Sequence, residues 1–600
     1  MKKLDFDAVV IGTGCAGYNC ADWLYELGMT NIAILTEARL AGTSRNTGSD
    51  KQTYYKLSLC GGDGDSVREM AQTLFDGGAV NGDTALCEAA YSTRCFMHLV
   101  ELGVPFPTNE YGEYAGYKTD HDPRTRATSC GPLTLKYMTE ALERSVLSKN
   151  IEIIDFQRVI KIITDNGAVT GVACANTVTG EISVIACQNV ILCTGGPAGI
   201  YKNTVYPESQ HGASGLAIDA GAALSNMEEW QYGIASTAFR WNLSGTYQQV
   251  LPRYISVDKD GDEKEFLYEK LGTSSLGLIF LKGYQWPFDT RKVDGSSKID
   301  LLVADEIKKG NRVYLDFSRN PQGLESGFDA LPEEAYTYLK KSDALFGTPI
   351  ERLKKMNEGA IELYGDHGIN LYEEYLEIAV CAQHCNGGVA VDGHWESEIE
   401  GLYVAGEAAG TFGVYRPGGS ALNSTQVGSL RAAEHISKKE KKAQPTPSYS
   451  LPKIRYCESN ISQIRYELQS EMSRVADFDR STGGMKALFY KVTKLCEGFF
   501  DIAVIDNASQ TAELFKLYDM ILTQRSTLSA MLSSAEAIGT HGSAFVDRKP
   551  HSEKGQPRCT RTLTRGAMSE QAPISPMPNP ELWFETLLAK KKKELRDEHR

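Results

Sequence analysis

Nowhere in the 600 residues does an apolar run approach the roughly 18 residues that a helix needs to cross a bilayer, so no membrane span is expected. Basic residues are the minority: 63 Lys and Arg against 77 Asp and Glu leave a net charge of −14. With no basic stripe to neutralise phosphates, a nucleic-acid role is not expected. The run Lys590 to Lys593 is followed by Glu-Leu-Arg-Asp-Glu-His-Arg and reads as a solvated helix end. The 14 cysteines form no C-x-x-C and no C-x-x-C-H, and Cys381 and Cys385 have no second pair at zinc spacing. Intrinsic zinc, iron–sulfur and c-type haem sites are therefore not expected, no residue is assigned to a metal, and the thiols should be reduced. The first strand pattern begins within a few residues of Met1, which leaves no room for a signal peptide. A cytoplasmic location follows as the expectation, with membrane attachment at most peripheral and through a partner.

What is present is organised around Asp7 to Glu37. Asp7-Ala-Val-Val-Ile-Gly is a β-branched apolar run of the kind that forms a buried parallel strand. It leads into Gly12-Thr-Gly14-Cys15-Ala16-Gly17, then a helical pattern to about Leu27, then a second strand, Asn31-Ile-Ala-Ile-Leu-Thr, ending at Glu37. In a dinucleotide fingerprint the first glycine makes the tight turn and the second lets backbone approach a pyrophosphate. The third lets helix pack on strand, and the acid binds ribose hydroxyls. Glu37 favours an adenosine ribose without a 2′-phosphate but does not separate FAD from NAD.

A chain of this length exceeds one core, so two to four domains are expected. A polar loop, Gly42-Thr-Ser-Arg-Asn-Thr-Gly48, is followed by helical pattern from about Asp65 to Leu102 and from Pro132 to Lys149. Ile151 to Cys187 alternates as a β-meander, and Asn189-Val-Ile-Leu-Cys-Thr194-Gly195-Gly196 is another buried strand ending in a glycine turn. From about Asn226 to Glu374 that grammar stops; it returns at His384-Cys-Asn-Gly-Gly-Val-Ala-Val-Asp and Gly401-Leu-Tyr-Val-Ala-Gly406-Glu407. A helix is expected from near Gly418-Gly419-Ser420 to Ser437, a linker over Lys438 to Pro452, helices to about Ser534, and a Pro-rich extended tail. The expected class is α/β. A discontinuous Rossmann-like domain spans 1–225 and 375–437, an α+β capping domain is inserted at 226–374, a helical domain covers 453–545, and the extended tail covers 546–600.

Strand-Thr194-Gly195-Gly196, strand-Ala405-Gly406-Glu407 and Arg416-Pro-Gly-Gly-Ser420-Ala421-Leu422 together resemble the flavoprotein subunits of succinate dehydrogenase and fumarate reductase, with L-aspartate oxidase. The resemblance covers most of the chain. Asn386-Gly-Gly-Val-Ala-Val-Asp with Gly-Leu-Tyr-Val-Ala-Gly-Glu is its most specific part, while Ser534-Ala-Glu-Ala-Ile-Gly-Thr-His541-Gly matches the family's Arg-Gly-Ala-His stretch more loosely. It implies FAD as cofactor and a cap that closes on the flavin. The implied FAD-binding residues are Gly12, Gly14, Cys15, Ala16, Gly17, Glu37, Ala38, Thr43, Ser44, Thr47, Gly48, Val159, Thr194, Gly195, Gly196, Gly406, Glu407, Ser420, Ala421 and Leu422. Where the succinate dehydrogenase pattern carries Ser-His-Thr, with histidine joined to FAD, this chain has Ser44-Arg45-Asn46. Arg45 cannot make that bond, so FAD is expected to be non-covalent.

In fumarate reductases hydride passes from flavin N5 to an activated alkene, an arginine protonates the neighbouring carbon, and two histidines, a Thr-Glu pair and a second arginine hold the dicarboxylate. The resemblance carries two catalytic positions over, His384 and the carboxylate-binding Arg416, whose planar fork pairs with a carboxylate bidentately. The family's Gln-Phe-His-Pro-Thr appears as Gln231-Tyr-Gly-Ile-Ala235, the Thr-Glu motif falls within Leu243 to Gln249 without its acid, and Lys292 to Asp305 contains no arginine. Tyr232, Tyr247, Arg253 and Lys298 lie in the region of the lost groups, and each reads as structural rather than catalytic. The implied function is hydride transfer between FAD and an activated C=C, or the reverse dehydrogenation, on a carboxylate-bearing substrate other than fumarate or succinate. The alternatives are an aspartate-oxidase-like C–N or C–O oxidase and a flavoprotein component of an electron-transfer complex. The electron source stays open among a partner iron–sulfur subunit, a ferredoxin-like protein and free reduced flavin.

Overall fold

The computed structural model describes residues 4–62, 64–285, 287–324, 327–440, 443–552, 559–579 and 582–598. Its centre is a parallel sheet in which Glu152–Ile154, Ile32–Leu35, Leu4–Ile11 and Ile182–Leu192 lie side by side, and Leu402–Val404 pairs in parallel with Ile182–Leu192. Val190 faces Val9 on one side and Leu402 on the other, so one residue joins strands from opposite ends of the domain to the same core. Ala8, Val9, Val10 and Ile191 are fully buried, as expected for strands covered on both faces. The meander continues the same sheet: Ile182–Leu192, Ala168–Asn176 and Gln157–Asp165 pair antiparallel in sequence order.

A second sheet of six strands is wholly antiparallel, in the order Trp241–Asn242, Trp230–Ser236, Leu376–Cys385, Arg312–Asp316, Arg253–Val257, Glu263–Lys264. Leu376–Cys385, which the sequence pattern assigns to the nucleotide-binding side, pairs with two strands of this sheet and ends at the site described below. The aromatic residues Trp230, Tyr232, Tyr247 and Tyr254 are core: they pack in one apolar cluster with Met472, Phe478, Met485 and Leu528 of the C-terminal helices. The longest helix, Thr511–Ala537, is buried along most of its length, because it runs between that cluster and the parallel sheet.

The tail departs from the extended expectation. Cys559–Leu563 and Met568–Ala572 form a hairpin whose first strand pairs with Leu224–Ser225, and Phe584–Glu598 is helical. Proline punctuation in the sequence hid strand partners that exist only after residues 224–225 and 559–572 meet. The positions 553–558, 580–581 and 599–600 of the expected tail lie outside the described residues.

Candidate active site

A cavity of about 490 Å³ opens at the C-terminal ends of the parallel strands, lined by Ile11, Leu35, Cys193 and Ala405 at those ends. That is the crevice where open α/β sheets bind ligands. Gly12, with φ +112°, makes the turn; a Cβ there would lie 2.5 Å from the Cys193 carbonyl oxygen. Gly17 stands behind the turn and does not line the cavity; a Cβ on it would come within 1.9 Å of the Gly12 oxygen, so only glycine lets helix Cys15–Glu26 sit so close to its strand. Ser44 Oγ accepts from the Cys15 amide (3.1 Å), tying the glycine loop to the second loop. Gln426 donates to Cys15 Sγ, and burial pushes that thiol up to about 12, which leaves it protonated and inert.

At one end of the cavity Glu37 and Ala38 meet Arg158, Val159 and the side chains of Glu513 and Lys516 from helix Thr511–Ala537. Glu37 is held by Arg158 (2.6 Å) and Lys516 (3.4 Å); burial opposes its ionisation, but the two cations keep the carboxyl below its usual range. At the other end the wall is Thr43, Ser44 and Thr47 with Gly406, Glu407, Ala421 and Leu422. Gly419 takes φ +91° to start helix Ser420–Lys438, which points its N-terminus at this wall. Arg45 turns away from the cavity to pair with Glu143 (2.5 Å) and Glu140 (3.5 Å). Glu407 accepts from the Cys385 amide (2.9 Å) and from the Tyr206 hydroxyl, yet burial raises its carboxyl to about 7.

The two residues that the family resemblance assigns to catalysis, His384 and Arg416, lie beside Glu407. His384 lines the cavity from the end of strand Leu376–Cys385, and Gln231 faces it across the strand pair. Arg416 donates Nη2–H to Gln231 Oε1 (2.7 Å) and Nε–H to Asn386 Oδ1 (3.3 Å). Because an arginine nitrogen only donates, that Asn386 oxygen is an acceptor, and His384 Nδ1, 3.0 Å from it, carries the proton. Burial, with the Arg416 charge second, holds the imidazole well below its usual pKa, so it stays neutral with a bare lone pair on Nε2. Burial lowers Arg416 to about 10, and it remains a cation; among the described residues it forms no ion pair within 4.0 Å.

Several groups near this side carry no sequence signal of their own. Asp50 follows the Gly48 loop and accepts from the Thr246 amide (2.7 Å) and hydroxyl (2.9 Å), bringing a buried acid to the stretch that lacks one in sequence. Arg291, one residue before the window that begins at Lys292, stacks 3.6 Å over the Tyr415 ring, beside Arg416, with its guanidinium paired to Asp289. His541 Nε2 lies 2.6 Å from Glu229, and the Gly542 amide donates to Tyr415 Oη (3.1 Å), so this turn touches both flanks of the site. Tyr232 bonds to Tyr201 (3.0 Å), Tyr247 to the Ala360 carbonyl (3.0 Å), and Arg253 pairs with Glu265 and Asp316; Lys298 sits on the first turn of Ser297–Lys308. None of these four lines the cavity.

A bound dinucleotide fits polar atoms that the protein leaves unsatisfied. Thr43 Oγ1, Thr194 Oγ1, Gln383 Oε1, His384 Nε2 and Arg158 Nε belong to cavity-lining residues, and each is buried without a hydrogen-bond partner, as is Ser420 Oγ at the helix start. Residues 7–422 match the family model described as FAD binding domain. The chain belongs to that family. It is an FAD-dependent oxidoreductase, similar along its length to a fumarate reductase (CoM/CoB) subunit from Methanothermobacter marburgensis, 25% identical over 89% of this chain and 93% of that protein. It is also similar to L-aspartate oxidase 2 of Ralstonia nicotianae, at 22% identity over 94% of each. A solved chain of E. coli quinol fumarate reductase shares the fold, with a TM-score of 0.71, 17% identity, and 97% and 98% of the two chains covered.

Of the residues that the sequence pattern assigns to FAD, Gly12, Gly14, Cys15, Ala16, Glu37, Ala38, Thr43, Ser44, Thr47, Val159, Thr194, Gly195, Gly406, Glu407, Ala421 and Leu422 converge on the one cavity. Gly17, Gly48, Gly196 and Ser420 stand just behind its wall: a Cβ on Gly48 would strike Gln52, and one on Gly196 would strike Glu407. Arg158, Lys516, Glu513 and Tyr206 line the cavity with no local motif around them that could mark them in sequence. Among the described residues no helix is long and apolar enough to cross a membrane, and no His, Cys, Asp and Glu group could hold a metal.

Proposed function

We propose that this flavoprotein exchanges hydride with an activated C=C bond of a substrate carrying one carboxylate, held by Arg416, and that neither fumarate nor succinate is that substrate. The observation that carries the reading is the Arg416 guanidinium: a half-buried cation whose hydrogen-bond partners, Gln231 and Asn386, are both neutral. Such a charge is stabilised by an anion supplied from outside. The second arginine nearby, Arg291, is committed to Asp289 through three contacts of 2.8 to 3.2 Å, and Gly233 stands where the family places a histidine, which supports one carboxylate rather than two.

FAD, bound non-covalently, supplies hydride exchange at N5. Gly12, Gly14 and the start of helix Cys15–Glu26 suit its pyrophosphate, Glu37 its ribose, and the N-terminus of Ser420–Lys438 the flavin edge that gains negative charge on reduction. Arg416 orients the substrate, and Asn386 fixes both Arg416 and the His384 tautomer. His384 Nε2 would accept the proton that leaves the neighbouring carbon when hydride leaves the saturated substrate, and the imidazolium so formed would return that proton when the C=C bond is reduced. The same lone pair favours a second reading, oxidation of a C–N bond, in line with the L-aspartate oxidase relatives. We further assign residues 1–225 and 375–437 to the FAD domain, whose strand Leu376–Cys385 pairs into the sheet of a cap at 226–374, 453–545 to the helical domain, and a cytoplasmic location to the whole. The Methanothermobacter relative carries the name of one component of a larger enzyme, which supports an iron–sulfur or ferredoxin-like electron-transfer partner.

Dithionite-reduced protein, held anaerobic, tests the reading when mixed with monocarboxylate enoates, with fumarate and with imino acids. Reoxidation of the flavin band by a monocarboxylate enoate, faster than by fumarate, is the expected result. Reoxidation by imino acids alone would replace it with the C–N reading, and fumarate as the fastest oxidant would overturn the one-carboxylate claim.

A further inference from the structure

The ribose-binding acid of this chain is not held by its own domain alone. Glu37 ends strand Ile32–Leu35 of the parallel sheet, and Arg158 comes from Gln157–Asp165 of the same sheet. Lys516 comes from helix Thr511–Ala537, far away in sequence, and its Nζ lies 3.4 Å from Glu37 Oε2 and 3.0 Å from Glu513. Glu513 in turn pairs with Arg465 of helix Ile461–Val475 at 2.8 Å. An unbroken chain of charges therefore runs Arg158–Glu37–Lys516–Glu513–Arg465, from the cavity into the C-terminal helices. Glu513 and Lys516 themselves line the cavity beside Glu37, Ala38 and Val159. Arg158 Nε is buried there without a partner.

We propose that Lys516 belongs to the FAD site: it holds the Glu37 carboxylate in place for the adenosine ribose and so makes FAD binding and docking of the C-terminal helices reinforce each other. Each oxygen of an ionised carboxylate offers more than one lone-pair site, so Arg158 on Oε1 and Lys516 on Oε2 leave room for the ribose hydroxyls. The two cations fix the rotamer that the hydroxyls meet. Without Lys516 the carboxylate keeps one partner and regains rotamer freedom, which FAD must then remove. Linkage makes the effect reciprocal: whatever the docked helix adds to FAD affinity, FAD returns to helix docking by the same factor.

The proposal rests on FAD being removable, and its test separates that premise from the claim. Apoprotein is titrated with FAD by fluorescence quenching, and amide exchange of residues 461–475 and 511–537 is followed with and without FAD. Lys516→Met should weaken FAD binding about tenfold, the size of one charge-assisted hydrogen bond, and abolish the slowing of exchange that FAD produces in the parent. Lys516→Arg should restore both. Glu513→Gln, which leaves Lys516 to Glu37 alone, should bind FAD at least as tightly as the parent; it serves if Lys516→Met does not fold. FAD affinity within twofold of the parent in Lys516→Met, weaker binding in Glu513→Gln, or FAD-induced protection that survives Lys516→Met would each overturn the proposal. If acid does not release FAD from the parent, the non-covalent reading fails. The exchange comparison of the two holoproteins then decides alone: faster exchange in Lys516→Met supports the latch and equal rates remove it.

Discussion

At Asn386 a single carbonyl oxygen accepts from both Arg416 Nε and His384 Nδ1, so one neutral residue sets the direction of a cation and the tautomer of a base. Replacing it by Ala leaves a half-buried guanidinium hydrogen and a buried imidazole hydrogen without that acceptor. A cost of about 1–3 kcal/mol is expected, read as a lower midpoint in thermal unfolding with FAD content unchanged. The same geometry bears on pH. Because burial and Arg416 keep His384 far below its ordinary range, the kcat/KM profile should show no His384 limb near pH 6.5. The Asn386-Gly-Gly stretch is legible as a family signature, but within that signature nothing singles Asn386 out. Its role depends on Arg416, 30 residues away, and no spacing rule links the two.

Helix starts and helix contacts carry the cofactor end. Gly17→Ala would drive a methyl into the Gly12 oxygen, and a loss of about 2–4 kcal/mol together with FAD binding is expected, checked by denaturant titration of the apoprotein. Helix Ser420–Lys438 is braced by Glu88, buried on helix Gly82–Glu101, which accepts from Ser424 Oγ at 2.7 Å. Burial lifts the Glu88 carboxyl from 4.5 to about 7. The folded chain thus keeps a proton that the unfolded chain releases between these values, so its favourable contribution is complete below pH 4.5 and is lost as pH rises towards 7. Glu88→Gln, which keeps the acceptor and cannot ionise, should raise the apoprotein's unfolding midpoint at pH 8 by a few degrees and leave it unchanged at pH 4.5. An equal shift at both pH values would contradict this. The strand, glycine turn and helix of the cofactor end are readable in sequence because they announce themselves within about 30 residues; Glu88 is not, since a lone acid on an amphipathic helix looks solvated.

At the scale of the whole molecule, the parallel sheet with its inserted antiparallel sheet and C-terminal helices matches the expectation from sequence, and residues 7–422 of it match the FAD binding domain family. What sequence could not supply is what the folded chain brings together from afar: Lys516 at Glu37, Asp50 at Thr246, and the tail hairpin at Leu224–Ser225. Acid precipitation should release FAD into the supernatant, because Arg45, spent on Glu140 and Glu143, offers no ring nitrogen for a covalent bond; colour retained in the pellet would contradict that. The most direct test of the substrate assignment is the rate at which a monocarboxylate enoate reoxidises the reduced flavin of Arg416→Gln, compared with the parent under identical anaerobic conditions. Loss of a charge-assisted carboxylate pair predicts at least about a hundredfold slower reoxidation at unchanged FAD content; equal rates in the two proteins would contradict Arg416 as the group that holds the substrate.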